Sequence, residues 1–376
     1  MFNLSAWSFP SESRHAEGVV LSVQIAQPEL QHTQQLGSPG RRRTWIILTA
    51  LAVLAALCLI SVMIGSGSIP AARVLATLTS WAAGELPPGS RDTTEILILE
   101  RRLPRTLLAV MVGAGLGAAG VLMQAMTRNP LADPGLLGVN AGAYAAVVLG
   151  SATMGTTVGT THVWLAVAGA LIVSVAVYVI GTSGQMGASP AKLVLTGVAI
   201  GALLSGLSFA VTLVRPDVFD RVRFWSAGSL QGRSFDEVTA VLPFLAVGLV
   251  LAVALPRALN ALALGDDAAV ALGARPGVTR VIGLLATTLL CGAATAAAGP
   301  LSFIGLMVPH ALRMLNGPDH RWLIPLSVLT APILVLTADI LGRMVVAAEL
   351  PAGVVTAFLG APVLVWLTRR KAVKSL

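Results

Sequence analysis

Charge is what this sequence lacks. Asp, Glu, Lys and Arg together make up 11% of its 376 residues, where a soluble globular chain carries about a quarter. Hydrophobic residues fill 55% of the chain and its mean hydropathy is +0.82, which excludes a water-exposed globular surface. Lysine is scarcer still: Lys192, Lys371 and Lys374 are the only ones, and none follows a Gly-rich turn. That excludes a Walker A phosphate loop, so the chain has no P-loop means of hydrolysing ATP by itself. The two cysteines, Cys58 and Cys291, sit inside apolar runs; no disulfide framework or zinc spacing exists, and core packing is the reading. Five histidines are scattered without carboxylate or cysteine company at ligand spacing, so no metal site is expected. His310, in GLMVPHALR, reads as structural or interfacial.

Acids are missing from the centres of the apolar runs as well. Asp339 and Arg343 lie four residues apart at the end of one run, so they share a helix face and read as a local ion pair. Glu349 follows in an ELPAG turn expected to lie outside the membrane. An ion-coupled carrier ordinarily needs a central carboxylate or a broken helix with ion ligands, and this sequence offers neither. An intramembrane enzyme is disfavoured by the lack of clustered acids, histidines or serines.

What is present is a series of apolar segments of spanning length. A helix crosses a hydrocarbon core of roughly 30 Å with about 20 residues, and in lipid every backbone polar group must be satisfied within the segment. The alternating ten-residue pattern of a membrane barrel is absent. Ten helical spans are expected, near 44–64, 103–126, 136–153, 162–182, 192–214, 238–256, 278–297, 300–315, 322–343 and 353–369. Residues 1–40 are polar and aperiodic and read as a disordered cytoplasmic tail; residues 41–376 form the membrane domain. Arg41, Arg42 and Arg43 before the first span, and Arg369, Arg370 and Lys371 after the last, place both termini in the cytoplasm. The formal charge of +8 follows from Lys and Arg gathered at span ends, where lipid and topology account for them without nucleic acid.

On this topology 15 of the 25 Lys and Arg lie inside and 10 outside, and Arg101, Arg102, Arg105 and Arg343 are external against the usual bias. Residues 69–84, IPAARVLATLTSWAAG, read as an amphipathic piece along the outer interface. The largest inner loop, 257–277, reads as two short helices broken at Gly265 and Gly273. Stretches such as GAGLGAAG at 113–120 and CGAATAAAG at 291–299 allow close helix approach, and such surfaces also suit a wide, weakly interacting channel. The stretch 101–143 carries a buried amide, Gln124, and an Asn-Pro turn between two Gly-rich spans.

Several blocks together resemble the FecCD family, the permease subunits of ATP-binding-cassette importers for ferric siderophores, haem and cobalamin. They are RLPRT at 102–106, QAMTRNPLADPGLLGVNAGA at 124–143, GSL at 228–230, LALGDDAAVALGA at 262–274, AGPLSFIGLMVPHALR at 298–313, DHRWLIP at 319–325, and ADILGR with ELPAGVVTAFLGAPVLVWL between 338 and 367. The resemblance covers about residues 44–371. It implies an all-α polytopic fold of ten helices of the type II ABC importer permease kind, in the bacterial cytoplasmic membrane. It further implies a second permease subunit, identical or sister, two cytoplasmic ATPases that supply the ATP chemistry, and an extracytoplasmic substrate-binding protein. No cofactor is implied on the chain itself.

Residue by residue, the resemblance makes Arg102, Arg105 and Arg343 outer arginines that meet acidic residues of the binding protein, with lipid-headgroup anchoring as the other reading of the same positions. Gly265, Asp266, Ala269, Leu272 and Gly273 fall on its ATPase-coupling pattern, with Asp266 and Asp267 in a first helical turn that favours acids. Gln124, Asn129, Pro130 and Pro134, with Pro309 and His310, mark a family motif expected near the inner gate.

Overall fold

The computed structural model describes residues 39–65, 67, 69–87, 89–155, 159–183, 190–346 and 348–369. Of the expected tail, residues 1–40, residues 1–38 lie outside the described residues. Residues 43–376 make up one compact unit.

Every regular element among the described residues is helical. Ten apolar helices stand where spans were expected: α1 (Pro39–Met63), α4 (Leu103–Thr127), α5 (Val139–Met154), α6 (Thr160–Thr182), α7 (Pro190–Val214), α9 (Phe235–Ala254), α12 (Pro276–Ala298), α13 (Ile304–Asn316), α14 (His320–Val345) and α15 (Ala352–Arg369). Seven helical runs are long and apolar enough to cross a membrane, while α5, α13 and α15 are shorter. The 13 residues of α13 reach only about 20 Å at 1.5 Å per residue. It starts at Ile304, later than expected, because Phe303 takes a left-handed conformation (φ 70°) after the Gly299–Pro300 break. Irregular backbone of this kind is tolerated at membrane depth only when protein surrounds it, and here Leu301 and Ile304 are buried.

Five short helices fill the connections: α2 (Ala71–Ala82), α3 (Thr93–Ile96), α8 (Pro216–Ser226), α10 (Pro256–Leu262) and α11 (Asp266–Ala271). The amphipathic piece is α2, with Val74 and Thr77 turned inward. An Asp92/Glu95 capping box starts α3, which runs through a π-helical stretch, Leu97–Arg102, straight into α4. Pro104, in the first turn of α4, has no N–H for the preceding turn, and the wider π register lets Leu103 N–H reach the Ile98 carbonyl instead.

The core is built on α4, nearly all of whose second half is buried. Close approach there requires glycine. A Cβ on Gly120 would stand 1.9 Å from the Gly305 carbonyl oxygen of α13, and one on Gly113 would stand 2.5 Å from Cα of Pro332 in α14. No side chain fits either crossing, so packing is the structural use of the 113–120 glycines. By contrast α1 and α7 bury little of their length and show mostly apolar side chains on their surfaces.

Candidate functional site

At the expected inner end, the loop 257–277 forms the two short helices α10 and α11, separated by Gly265 (φ 110°) and closed by Gly273 (φ 81°). Leu259, Leu262 and Ala269 are buried and fix the segment to the bundle. Leu264, Val270 and Leu272 remain 68%, 60% and 65% exposed. They form an exposed apolar patch on a short connection between spans. Ala269 and Leu272 of the expected pattern thus divide between anchoring and presentation.

Asp266, at the start of α11, joins this segment to two spans. Its carboxylate accepts Nη2 of Arg280 on α12 at 2.8 Å on both oxygens, and Nη2 of Arg128 at 2.6 Å. Burial pushes the Asp266 carboxyl up, but the bonds and charges of Arg280 and Arg128 outweigh it and hold the group below the usual aspartate range. Arg128 also donates Nε to the Leu262 carbonyl at 3.0 Å. Neither arginine stood out in the sequence.

Arg128 is the left-handed residue (φ 49°) that ends α4. Its N–H bonds the Ala125 carbonyl, and the Asn129 N–H bonds the Gln124 carbonyl, which is a Schellman closure. Left-handed geometry costs a non-glycine residue roughly 1–2 kcal/mol, and no Gly here announced the helix end. α10 has its own attachment: Asn260 donates Nδ2 to Asp319 at 2.7 Å and accepts the His320 N–H at 3.0 Å, at the start of α14.

Two of the motif residues, Gln124 and Pro134, meet on one turn of α13. Pro309 has no N–H to give the Gly305 carbonyl four residues earlier. Gln124, fully buried, supplies the missing donor: its Nε2 lies 3.2 Å from the carbonyls of both Gly305 and Leu306. Pro134 packs on the same glycine, where an added Cβ would meet Pro134 Cδ at 2.9 Å. Asn129 Oδ1 accepts the Leu131 N–H across Pro130, and Asp133 caps the 3-10 turn Pro134–Leu137 through the Gly135 N–H. Further along, Asn140 Oδ1 accepts the hydroxyl of Thr295 on α12 at 2.7 Å. His310 is buried one residue beyond Pro309, and no group of metal-ligating side chains occurs among the described residues.

At the expected outer end the three arginines are held by carbonyls and carboxylates of the chain itself. Arg102 is buried and donates to the carbonyls of Val62, Met63 and Gly67 at 3.0, 2.8 and 3.2 Å. Arg343 donates to the carbonyls of Ser61 and Ile64 at 2.8 and 2.6 Å, to the Ser61 hydroxyl and to Asp339. Arg105 grips Asp339 through Nε and Nη2, and reaches Glu349 at 2.7 Å through Nη1. These guanidinium groups therefore turn inward. The last carbonyls of α1 lack helical partners, and cations at a helix C-terminus also meet its negative dipole end. Asp339 and Arg343 form the expected pair, but Arg105 joins them and also holds Glu349, which is half-buried in its turn. Arg101 is the member of this group left exposed; it reaches only the Gly232 carbonyl, at 3.4 Å.

The GSL block also finds a place. Gly228 (φ 77°) offers its carbonyl to the Gly353 N–H at 2.8 Å, and a Cβ there would meet the Pro300 carbonyl at 2.7 Å. Beside this junction run two open grooves of 330 and 590 Å³ that share Ser226 and Pro300 in their linings. Small or hydroxylated side chains dominate both, among them Gly138, Gly201, Ser205, Ser302 and Ala357.

Comparison with known proteins matches this architecture. The model of the FecCD transport family aligns with residues 35–370. The chain is similar to the ferric enterobactin transport system permease protein FepD of Escherichia coli strain K12, with 48% identity over 339 residues, 90% of this chain and 96% of that protein. It is 39% identical over 331 residues to the probable siderophore transport system permease protein YfiZ of Bacillus subtilis strain 168, covering 87% and 97% of the two chains. The cobalamin import system permease protein BtuC of Halobacterium salinarum is 36% identical over 321 residues, 84% of each. A solved metal-chelate type ABC transporter in an inward-facing conformation has the same fold, with a TM-score of 0.73 at 24% identity over 87% of this chain and 99% of that one.

Proposed function

Because the chain belongs to the FecCD transport family, we propose that it is the membrane-spanning permease of an ATP-driven importer that carries ferric siderophores into the cytoplasm. It is a multi-pass membrane protein, and its place is the bacterial cytoplasmic membrane. The observation that carries the reading is the α10–α11 segment: a short helix offers exposed apolar residues to a partner and is tied by Asp266 and Asn260 to three spans. A pore or a self-sufficient carrier has no need of such an attachment. The ATP chemistry belongs to two partner ATPases, so this chain contributes the path, the docking rim and the mechanical input rather than catalysis.

A second permease, identical or sister, completes the path. The small-residue grooves beside Ser226 and Pro300 support a lining that grips a bulky chelate weakly. The siderophore assignment follows two relatives, 48% and 39% identical, whose names specify ferric enterobactin and siderophore transport; cobalamin is the runner-up, on the 36% identical relative. An extracytoplasmic binding protein meets the outer rim. Arg102, Arg105 and Arg343 act there by fixing the rim's shape, and exposed Arg101 supplies free charge.

The test is reconstitution in vesicles with the cognate ATPase and binding protein. Uptake of radiolabelled ferric enterobactin should require ATP and both partners. Uptake by the chain alone, driven by an ion gradient, would sink the importer reading.

A further inference from the structure

Asp266, Arg128 and Arg280 form a three-membered ionic clamp between the coupling helix and the two central spans. We propose that this clamp is the element through which movement of a bound ATPase is delivered to the gate, with Asp266 as its positioning residue. The inference rests on the importer reading and goes beyond it, since that reading requires only that a partner binds the segment.

Four observations carry it. The apolar side chains offered to a partner, Leu264, Val270 and Leu272, flank or belong to α11, so load enters at α11 rather than at α10, whose leucines are buried. α11 has only six residues, too short to hold an orientation by its own hydrogen bonds. Its polar fixing point among the described residues is Asp266, which takes Arg280 on both carboxylate oxygens and Arg128 on one. Arg128 in turn is the left-handed end of α4, where strain is held by the Schellman closure and by its Nε bond to Leu262. Strain of this kind persists where the surroundings over-determine it.

The route from there is short. α4 carries Gln124, which holds the Gly305–Leu306 turn of α13. α12 follows because Gly283 of α12 packs on Met126 of α4. A displacement of α11 therefore moves α4 and α12 together, and α13 with them.

The charge arithmetic makes Asp266 more than an ordinary surface ion. One carboxylate holds two guanidinium groups, both within hydrogen-bond reach of it. Neutralising it leaves two cations facing each other across the joint, which changes attraction into repulsion. Asp267, its neighbour, is exposed and makes no such bridge, so the two adjacent acids are a matched pair for experiment.

The complete transporter, with its ATPase and binding protein, is reconstituted in vesicles, and radiolabelled ferric enterobactin imported per ATP hydrolysed is measured. In Asp266→Asn the ratio should fall about fivefold or more, the lower end of site-to-site coupling, while the ATPase still co-purifies with the permease. Asp266→Glu, which keeps the carboxylate between the two guanidinium groups, should recover much of it. Asp267→Asn, which removes the same charge without the bridge, should stay close to the unsubstituted ratio. If Asp266→Asn fails to reach the membrane, Arg128→Gln, which removes one arm of the clamp together with the Leu262 bond, is read by the same ratio. An unchanged ratio in Asp266→Asn or Arg128→Gln overturns the clamp and leaves the importer reading standing. Loss of the ATPase from the Asp266→Asn complex, or an equal fall in Asp267→Asn, also overturns it, because Asp266 is then a docking charge. Absence of ATP-dependent uptake by the unsubstituted complex overturns the importer reading itself.

Discussion

Gln124 and Pro309 explain one another. The proline ring leaves the Gly305 carbonyl without its helical donor, and the glutamine amide of a different span provides one. Leaving a buried carbonyl unsatisfied costs about 1–3 kcal/mol, so Gln124→Leu should lower the thermal unfolding temperature of the detergent-purified permease. An unchanged melting curve would show that the two residues are not coupled. Arg343 is open to a comparable test. Removing one partner of a buried charge pair costs about 3–5 kcal/mol, and here the α1 carbonyls lose their donor as well. Arg343→Ala should therefore destabilise the fold heavily. Exposed Arg101→Ala should stay within roughly 0.5 kcal/mol. Equal, small effects in both would restore Arg343 to a docking role.

Among the elements, α4 and α11 carry the strongest constraints. Gly120 has no room for a methyl group beside the Gly305 carbonyl, whereas Gly277 at the start of α12 has open space around it. Gly120→Ala should cost folded protein, measured by monodisperse yield and melting. Gly277→Ala should be neutral or stabilising by about 0.5–1 kcal/mol. The clamp on α11 also fixes a pH response. Asp266 titrates below the ordinary aspartate value of 3.8, so its contribution is complete above that value and is lost only as pH falls through the depressed folded value. Transport per ATP should then be flat from about pH 8 down to about pH 5 with respect to this group. A fall that begins near neutrality and disappears in Asp266→Asn would contradict the assignment.

Across the whole molecule, the ten apolar elements were legible because hydropathy and length determine what lipid accepts, and residues between 44 and 369 carry that record without tertiary information. The break of 257–277 into two helices was legible for a similar local reason, since Gly265 and Gly273 supply conformations that other residues resist. Partnerships between spans were not. Gln124 could be recognised as a buried amide, but its partner lies on α13, and no local pattern connects them. Arg128 and Arg280 looked like ordinary inner-end cations until Asp266 was seen between them. The outer arginines show the converse. Their excess on the wrong side of the membrane was readable, but counting charge by side says nothing of whether a guanidinium points out to a partner or in toward a helix end.

The capping of α1 has a consequence for how the chain is made. α1 leaves the ribosome well before α14, yet the arginine that holds its Ser61 and Ile64 carbonyls sits on α14, 282 and 279 residues later. Arg102 can close part of that end as soon as α4 is inserted. Until α14 arrives, the remainder stays open. A helix inserted early is thus locked late, and a nascent chain stalled before α14 should expose α1 to membrane proteases and quality-control chaperones that the finished permease escapes.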